Sequence, residues 1–186
     1  TQSKYGISVV SSLDEILTKN RFDAAIISTP PMEHVPVMNQ CISEKMPIFV
    51  EASVIKNGLK EILNYSRKEN IIVVPSATML FHPAIKKIKE IIFSKELGKI
   101  SNFIYHSGQY LPDWHIYENV SDFYVSNRLT GGAREIVPFE LTWLTNIFGM
   151  PKKVVSNYMK TIDIKGAEDI HDTYNCLLNY KDHLGM

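Results

Sequence analysis

The sequence predicts an α/β fold in which a partial parallel sheet is followed by an α+β domain with an open, mainly antiparallel sheet. In residues 22–75, three short apolar segments alternate with two helical segments, a pattern typical of right-handed βαβ units on one parallel sheet. Beyond residue 78 this alternation stops and segments of strand character prevail. We therefore predict two domains, at residues 1–78 and 79–186.

The elements of the first domain each have a local signal. Ser12 and Glu15 form a capping box that starts a helix ending near residue 20. The apolar segments at residues 22–28, 47–51 and 71–75 predict strands buried on both faces, because their apolar character is continuous rather than alternating. Helices are expected at residues 35–45 and 57–69.

The second domain is predicted to mix helices and strands. Pro83 occupies the favoured first position of a long helix that we expect to end at Gly98. Residues 110–132 form a polar, aromatic segment that is too long to be a simple connector. A helix is expected at residues 134–148, where Pro138 should make the first turn irregular so that the regular helix starts at Glu140. The expected strands are residues 100–109, 153–162 and 173–180.

Composition and charge argue against several classes of protein. The 186 residues are 45% hydrophobic, and 20 basic side chains balance 20 acidic ones, so no net charge favours binding to nucleic acid or to an anionic membrane. The sequence has no apolar run of the roughly 18 to 20 residues that span a bilayer. Cys41 and Cys176 have no zinc-binding spacing and are expected to be buried thiols. We expect a cytoplasmic protein without a metal site.

The glycines lack the arrangement that binds a dinucleotide. In doubly wound folds a G-x-G-x-x-G turn after the first strand binds the pyrophosphate, and no such motif can be drawn through the nine glycines of this chain. Either the protein binds no dinucleotide, or the chain begins after that motif. The chain opens without a strand and ends just after one, so we expect a fragment truncated at both ends.

A series of short motifs, in this order and spacing, resembles the Gfo/Idh/MocA family, which includes glucose-fructose oxidoreductase and inositol dehydrogenase. The motifs are YG at residues 5–6, SLDEIL at 12–17, DAAIISTPP at 23–31, His34, IFVE at 48–51, FHP at 81–83, ELGKI at 96–100, GQYLPDWH at 108–115, GG at 131–132 and RE at 134–135. The resemblance implies a partial Rossmann-type domain that binds NAD or NADP. It also implies a following substrate domain whose open sheet often forms an oligomer interface, so a homodimer or homotetramer is expected.

The resemblance assigns the Thr-Pro-Pro stretch to the cofactor side of the site. That stretch follows a strand, and ligands of parallel sheets bind at the carboxyl ends of the strands. The cofactor-binding candidates are therefore Thr29, Pro30, Pro31, His34 and Glu51. A plainer interpretation is that the prolines only end the strand and that His34 caps the next helix.

Two departures from the family's motifs affect the expected chemistry. The family commonly has Glu-Lys-Pro after the next strand, whereas residues 51–53 here are Glu-Ala-Ser, and an alanine cannot transfer a proton. In the helix after residues 131–132 the family often has a histidine, with an aspartate three residues later. Phe139 and Thr142 are the approximate equivalents here, so the usual acid and base are both absent.

Other side chains are candidates for this chemistry. The catalytic candidates are His115, Glu135 and Glu140, and the substrate-binding candidates are Asp113, Trp114 and Arg134. A histidine suits proton transfer near neutral pH, a tryptophan can stack on a sugar ring, and an arginine can hold a carboxylate or phosphate with its planar fork. The alternatives are a structural histidine, a tryptophan packed on its own protein and a solvated or paired arginine. We expect His115 and Arg134 to share a pocket, because residues 131–132 are glycines that would let the loop fold back over the site.

The family resemblance implies an NAD(P)-dependent oxidoreductase that acts on the CH–OH group of a sugar or sugar-like polyol, with a noncanonical active site. One alternative is a non-catalytic dinucleotide- or sugar-binding homologue with a regulatory or structural role. Another is a family member that uses bound NAD transiently for elimination or hydrolysis. The partners expected are a small-molecule substrate and further copies of the chain, and neither nucleic acid nor a membrane.

Overall fold

The computed structural model describes residues 2–19, 22–52, 54–114 and 116–186. The chain divides into two compact units. The first contains Thr1–Glu51 and Lys56–Ser76, and the second contains Ala52–Ile55 and Ala77–Met186. No helix in the described ranges is long and apolar enough to cross a membrane.

The first unit is built from helices and three short parallel strands. Its elements in chain order are α1 (Gln2–Tyr5), α2 (Leu13–Lys19), β1 (Ala25–Ile27), α3 (His34–Ser43), β2 (Ile48–Val50), α4 (Leu59–Glu69) and β3 (Val73–Pro75). The strands lie in the order β1-β2-β3, and both pairings are parallel. The Ser12 hydroxyl accepts a hydrogen bond from the Glu15 backbone N–H at 3.3 Å. The expected capping box and parallel sheet are therefore confirmed, whereas α1 was not predicted.

Only one face of this sheet is buried. Ile27, Ile48 and Val50 pack with residues of α3 and α4 in one core. On the opposite face, Ile26 is 79% exposed, and its neighbours Phe49 and Val74 are each 43% exposed. The expectation of burial on both faces is wrong for the described residues. Successive right-handed crossovers in one direction put both connecting helices on the same side of the sheet.

The second unit contains two helices and a four-stranded sheet. Its elements are α5 (Pro83–Ser94), β4 (Asn102–Phe103), α6 (Ala133–Phe148), β5 (Lys153–Met159), β6 (Thr173–Asn179) and β7 (Leu184–Gly185). The strand order is β4-β7-β6-β5, with β4 and β7 parallel and the other pairs antiparallel. This mainly antiparallel sheet confirms the predicted fold class.

Three expected boundaries in this unit are wrong. Helix α5 ends before Lys95, which adopts the left-handed conformation with φ of 62°, so Gly98 is not the stop. The strand expected at residues 100–109 is limited to β4, because its partner β7 spans only two residues. Helix α6 runs unbroken through Pro138. The hydrogen bond that a proline removes there would end on the carbonyl of exposed Arg134, in the first turn, where water can replace it.

The long segment before α6 packs against the loop between β5 and β6, and the two share a small core. It contains short 3-10 turns at Leu111–Asp113, Val120–Asp122 and Tyr124–Ser126. Its buried Leu111 and Val125 pack with Ile164 and Ile170. At the end of the segment, a side chain on Gly131 would collide with the carbonyl oxygen of Val125. The segment is therefore a packed structure, and its glycines serve close packing rather than mobility.

Replacing Gly131 with alanine should destabilise the protein by about 2 kcal/mol or more, because the added methyl group must displace the backbone of Val125. The matched control is Gly108→Ala, where a Cβ would meet no atom within 4 Å. Urea denaturation of both variants measures the two free energies of unfolding. Equal stability of the two variants would show that this segment is not packed as described.

Candidate functional site

The cofactor-side candidates lie at one edge of the parallel sheet. Ile27 at the end of β1 pairs with Val50 at the end of β2, and the Glu51 backbone N–H donates to the Ile27 carbonyl at 3.0 Å. The chain after β1 reaches Thr29 and Pro30, and the exposed Glu51 follows β2 directly. These residues therefore share the carboxyl edge, where parallel sheets bind ligands.

His34 holds the turn that follows β1. Its ring is 1% exposed, and its Nε2 lies 2.7 Å from the carbonyl oxygen of Thr29. A carbonyl oxygen only accepts, so Nε2 carries the proton and donates. The Nδ1 of His34 and the hydroxyl of Thr29 are buried without a hydrogen-bond partner among the described residues. His34 is the first residue of α3, and neither it nor Glu33, the preceding N-cap residue, makes a side-chain cap, so the ring ties the turn to the helix instead of capping it.

The second unit contains a cavity of about 420 Å³. One wall is α6 and another is the inner face of β6, while the segment around residues 103–111 closes a third side. Of the sequence-predicted site residues, Trp114 and Glu140 line this cavity. The wall is largely apolar, with Ile136, Leu144 and Leu178 among its members.

Glu140 is the centre of the polar part of the cavity wall. Its Oε2 accepts from the Tyr105 hydroxyl at 2.8 Å and from the Trp143 Nε1–H at 2.7 Å. Its Oε1 accepts from the Ser107 hydroxyl at 3.1 Å. Burial raises the pKa of Tyr105, and its hydrogen bond to Glu140 adds to this increase. The carboxylate is thus oriented by three donors on two elements.

The partners of Glu140 were missed by sequence reasoning. Tyr105 and Ser107 alternate along the segment expected to be a strand, and Trp143 lies one helical turn beyond Glu140. The spacing i, i+3 puts Glu140 and Trp143 on one helix face. The alternation of Tyr105 and Ser107 puts them on one side of an extended segment. Both periodicities can be read from the sequence, but no local signal in it shows that the extended segment with Tyr105 and Ser107 lies next to α6.

The other predicted site residues do not line the cavity. Glu135 accepts a hydrogen bond from the Tyr124 hydroxyl, which joins the first turn of α6 to the preceding segment. Arg134 and Asp113 are exposed. Burial raises the pKa of Tyr174, while the charge of Arg134 acts in the opposite direction. His115 lies outside the described residues, so the expectation that it shares a pocket with Arg134 stays a prediction.

Asp172 stabilises another part of the cavity wall. Its carboxylate accepts from the backbone N–H groups of Thr161 and Ile162, both at 2.9 Å, and from the hydroxyls of Thr161 and Thr173 at 2.6 and 2.8 Å. Burial raises the pKa of Asp172, but these hydrogen bonds outweigh burial and lower the pKa to about 2. Asp172, the residue before β6, thus joins the end of the loop that follows β5 to the start of that loop.

The two cysteines are free thiols that form no disulfide. Cys41 is fully buried in the first unit, and Cys176 is half-buried in the cavity wall. Burial raises the pKa of both thiols, so neither is activated as a nucleophile. Among the described residues, no group of three or more His, Cys, Asp or Glu side chains could hold a metal ion.

Residues 1–78 match the family GFO_IDH_MocA, described as an oxidoreductase family with an NAD-binding Rossmann fold. The chain is also similar to an uncharacterized oxidoreductase of Schizosaccharomyces pombe, with 20% identity over 176 residues that cover 94% of this chain and 46% of that protein. These matches confirm the resemblance found in the motifs.

Solved structures share the fold. A Bacillus subtilis protein named as an oxidoreductase has a TM-score of 0.82 and 17% identity, over 99% of this chain and 51% of that one. An Agrobacterium radiobacter oxidoreductase, crystallised with NAD+, L-tartaric acid and magnesium, has a TM-score of 0.81 and 14% identity, over 99% of this chain and 53% of that one. The chain therefore spans about half the length of these relatives.

Replacing Asp172 with asparagine should destabilise the protein at neutral pH, because the folded state lowers the pKa of this carboxyl from 3.8 to about 2. A lowered pKa contributes stability above pH 4, and that contribution disappears as the pH falls towards 2. The difference in free energy of unfolding between wild type and variant should therefore narrow over this range. Exposed Asp169→Asn is the control. Urea denaturation at several pH values tests this, and a difference independent of pH would contradict it.

Proposed function

Because residues 1–78 match the Gfo/Idh/MocA oxidoreductase family with its NAD-binding Rossmann fold, we propose that the whole protein is an NAD(P)-dependent oxidoreductase acting on the CH–OH group of a sugar or sugar-like polyol. The observation that carries the proposal is the shared carboxyl edge of β1 and β2, with Thr29 and Pro30 beside Glu51. NAD(P), when bound, supplies the hydride acceptor or donor.

The residues at this edge fit part of such a cofactor. The exposed Glu51 carboxylate can accept hydrogen bonds from ribose hydroxyls, and the exposed Pro30 is a conformationally restricted residue at the same edge, whereas Pro31 is buried. His34 acts as a positioning residue, since its buried ring holds the Thr29 carbonyl. The 186 residues contain no G-x-G-x-x-G turn for the pyrophosphate, so these side chains are proposed to serve the ribose and nicotinamide end.

The proton chemistry is assigned to residues of the second unit. Glu140 is proposed as an acid or base, with its carboxylate oriented by Tyr105, Ser107 and Trp143. His115 remains the first candidate for the group that takes the hydroxyl proton, because an imidazole suits that transfer near neutral pH. Glu135 is the third candidate, and its bond to Tyr124 supports a role in holding the loop.

Substrate binding is proposed for Asp113, Trp114 and Arg134. Trp114 lines the cavity that contains Glu140, which supports contact with a sugar ring. Assembly into a homodimer or homotetramer is proposed because Val155 and Leu177 pair on one face of the second sheet and are 55% and 43% exposed. A second copy would cover such a face.

A non-catalytic homologue is the second candidate function. Ala52 and Phe139 stand where the family resemblance expects a lysine and a histidine. The Thr142 hydroxyl, at the position of the expected aspartate, donates to the Pro138 carbonyl within α6 at 3.0 Å. Because alanine and phenylalanine cannot transfer protons, these replacements are compatible with a protein that binds cofactor and ligand without turning the ligand over.

Replacing Glu51 with glutamine should weaken NADH binding about tenfold, because the variant loses charge-assisted hydrogen bonds to the ribose. The matched control is Glu44→Gln, an exposed glutamate just after α3 and away from the carboxyl edge. Nicotinamide fluorescence during titration of the whole protein measures both dissociation constants. Absence of NADH binding at millimolar concentration would reject the oxidoreductase proposal.

Replacing His115 with asparagine should lower kcat by roughly two to four orders of magnitude, while the cofactor dissociation constant stays unchanged. Arg134→Lys should mainly raise KM, because lysine keeps the charge and loses the planar fork. His82→Asn is the control, since His82 is the N-cap of α5 and asparagine can also cap a helix. Normal turnover of the His115 variant would shift the assignment to Glu140 or Glu135, and wild-type binding without turnover would favour the non-catalytic homologue.

A further inference from the structure

The turn before α4 contains the one Asn-Gly pair of the chain. Asn57 and Gly58 are its central residues, and the Leu59 N–H closes it by donating to the Lys56 carbonyl at 3.2 Å. Gly58 has φ of 84° and ψ of −14°, values typical of the third position of a type II turn. The N–H of Gly58 belongs to the peptide between the two central residues, so it takes no part in the closing hydrogen bond.

The two groups that can react with each other in this turn have no other partners. Among the described residues, neither the Asn57 side-chain amide nor the Gly58 N–H makes a hydrogen bond. Asn57 is exposed and Gly58 is half-buried. Because glycine has no side chain, its backbone nitrogen is not crowded when the preceding side chain approaches it. These are the conditions under which an asparagine side chain cyclises onto the next backbone nitrogen.

The other asparagines of the chain are less suited to this reaction. Each of the remaining eleven is followed by a residue with a side chain, which crowds the nitrogen that would attack. Asn64 and Asn146 lie within α4 and α6, where the following backbone nitrogen donates to a carbonyl one helical turn earlier. Asn57 therefore differs from them in both its neighbour and its backbone.

We propose that Asn57 is a site of spontaneous deamidation in the folded protein. The Gly58 nitrogen loses its proton and attacks Cγ of Asn57, so an N–Cγ bond forms and the Cγ–Nδ2 bond breaks. Nδ2 leaves with that proton as ammonia, and a cyclic succinimide remains. Water then opens the ring at Cγ to give aspartate, or at the main-chain carbonyl to give isoaspartate, whose backbone runs through Cβ and Cγ. Water is the only co-reactant, and no electrons are transferred.

The two products should affect the first unit differently. Gly58 lies close to α3, since a Cβ added to it would be 2.7 Å from Cγ1 of Val35. Isoaspartate lengthens the backbone before Gly58 by one carbon atom, so either this contact or the closing hydrogen bond of Leu59 must be lost. Aspartate keeps the backbone and places a negative charge just before α4, where the helix dipole favours it. Only the isoaspartate product should therefore open the turn.

The test compares the whole protein with a synthetic peptide of residues 52–61, both incubated in mildly alkaline buffer. Cleavage after Glu51 and Glu61 releases the same segment from the protein, and Asn57 is its only amide side chain. Mass spectrometry detects the replacement of NH2 by OH, and an isoaspartate-specific methyltransferase labels the isoaspartate. Because one hydrogen bond closes the turn, Asn57 should convert in the protein within about tenfold of its rate in the peptide.

The conversion should be slower in mildly acidic buffer, because the Gly58 nitrogen must lose its proton before it attacks. Asn64, which is exposed on α4 and precedes Tyr65, is the control within the same molecule and should stay unmodified. No conversion of Asn57, a rate more than about tenfold below that of the peptide, or equal conversion of Asn64 would overturn the proposal.

Two variants separate the reaction from its products. Asn57→Gln keeps an amide but requires a larger ring, so it should show no mass change, and a change equal to that of wild type would overturn the proposal. Asn57→Asp reproduces the aspartate product. Hydrogen exchange at the Leu59 N–H should be at least about tenfold faster in the isolated isoaspartate form than in fresh wild type or fresh Asn57→Asp. Equal exchange in all three would overturn the predicted opening of the turn.

The reaction requires neither cofactor nor substrate. Conversion of Asn57 can therefore occur in a protein that fails to bind NADH, and it can be absent from one that binds NADH and turns over. The two sets of measurements distinguish failure of the deamidation proposal from failure of the oxidoreductase proposal.

Discussion

The contact between Glu140 and the segment before it in the chain is the interaction on which the candidate site of the second unit depends. One carboxylate on α6 accepts from Tyr105 and Ser107, which belong to an extended segment beyond the two-residue strand β4. The ring of Tyr105 also meets that of Trp143 edge to face at 5.0 Å. Charge-assisted hydrogen bonds are stronger and more directional than neutral ones. The Glu140 carboxylate therefore holds in place a segment that makes few backbone hydrogen bonds to a neighbouring strand.

A different constraint organises the first unit: the right-handedness of its β-α-β crossovers determines which face of the sheet the helices cover. Consecutive right-handed crossovers place α3 and α4 on one face, so Ile27 and Ile48 are buried while Ile26 and Phe49 are exposed. At the carboxyl edge of the same strands, the turn after β1 is held by a buried imidazole as well as by the backbone hydrogen bond from Glu33 N–H to the Pro30 carbonyl. The first unit thus places Thr29, Pro30 and Glu51 at the carboxyl edge of its sheet.

The sequence predicted those features that depend on near neighbours. The Ser12 capping box and the alternation of strands and helices have local causes, and both are present. Burial of the strands on both faces was mispredicted because it depends on which side the helices lie. The partners of Glu140 could not be assigned, since Tyr105 is 35 positions away and its expected strand forms only at β4. Likewise, the burial of His34 depends on packing of α3 against the sheet rather than on its motif.

Glu140 follows Phe139, which stands at the approximate position of the histidine that the family resemblance implies. Successive residues of a helix are rotated by about 100°, so a carboxylate one position further along α6 points in a different direction from the side chain at position 139. At its actual position Glu140 lies at the cavity wall and meets three donors, while the Thr142 hydroxyl is used within the helix. Glu140 and the side chain at position 139 therefore face different directions, and the orientation of the Glu140 carboxylate is set by its donors Tyr105, Ser107 and Trp143.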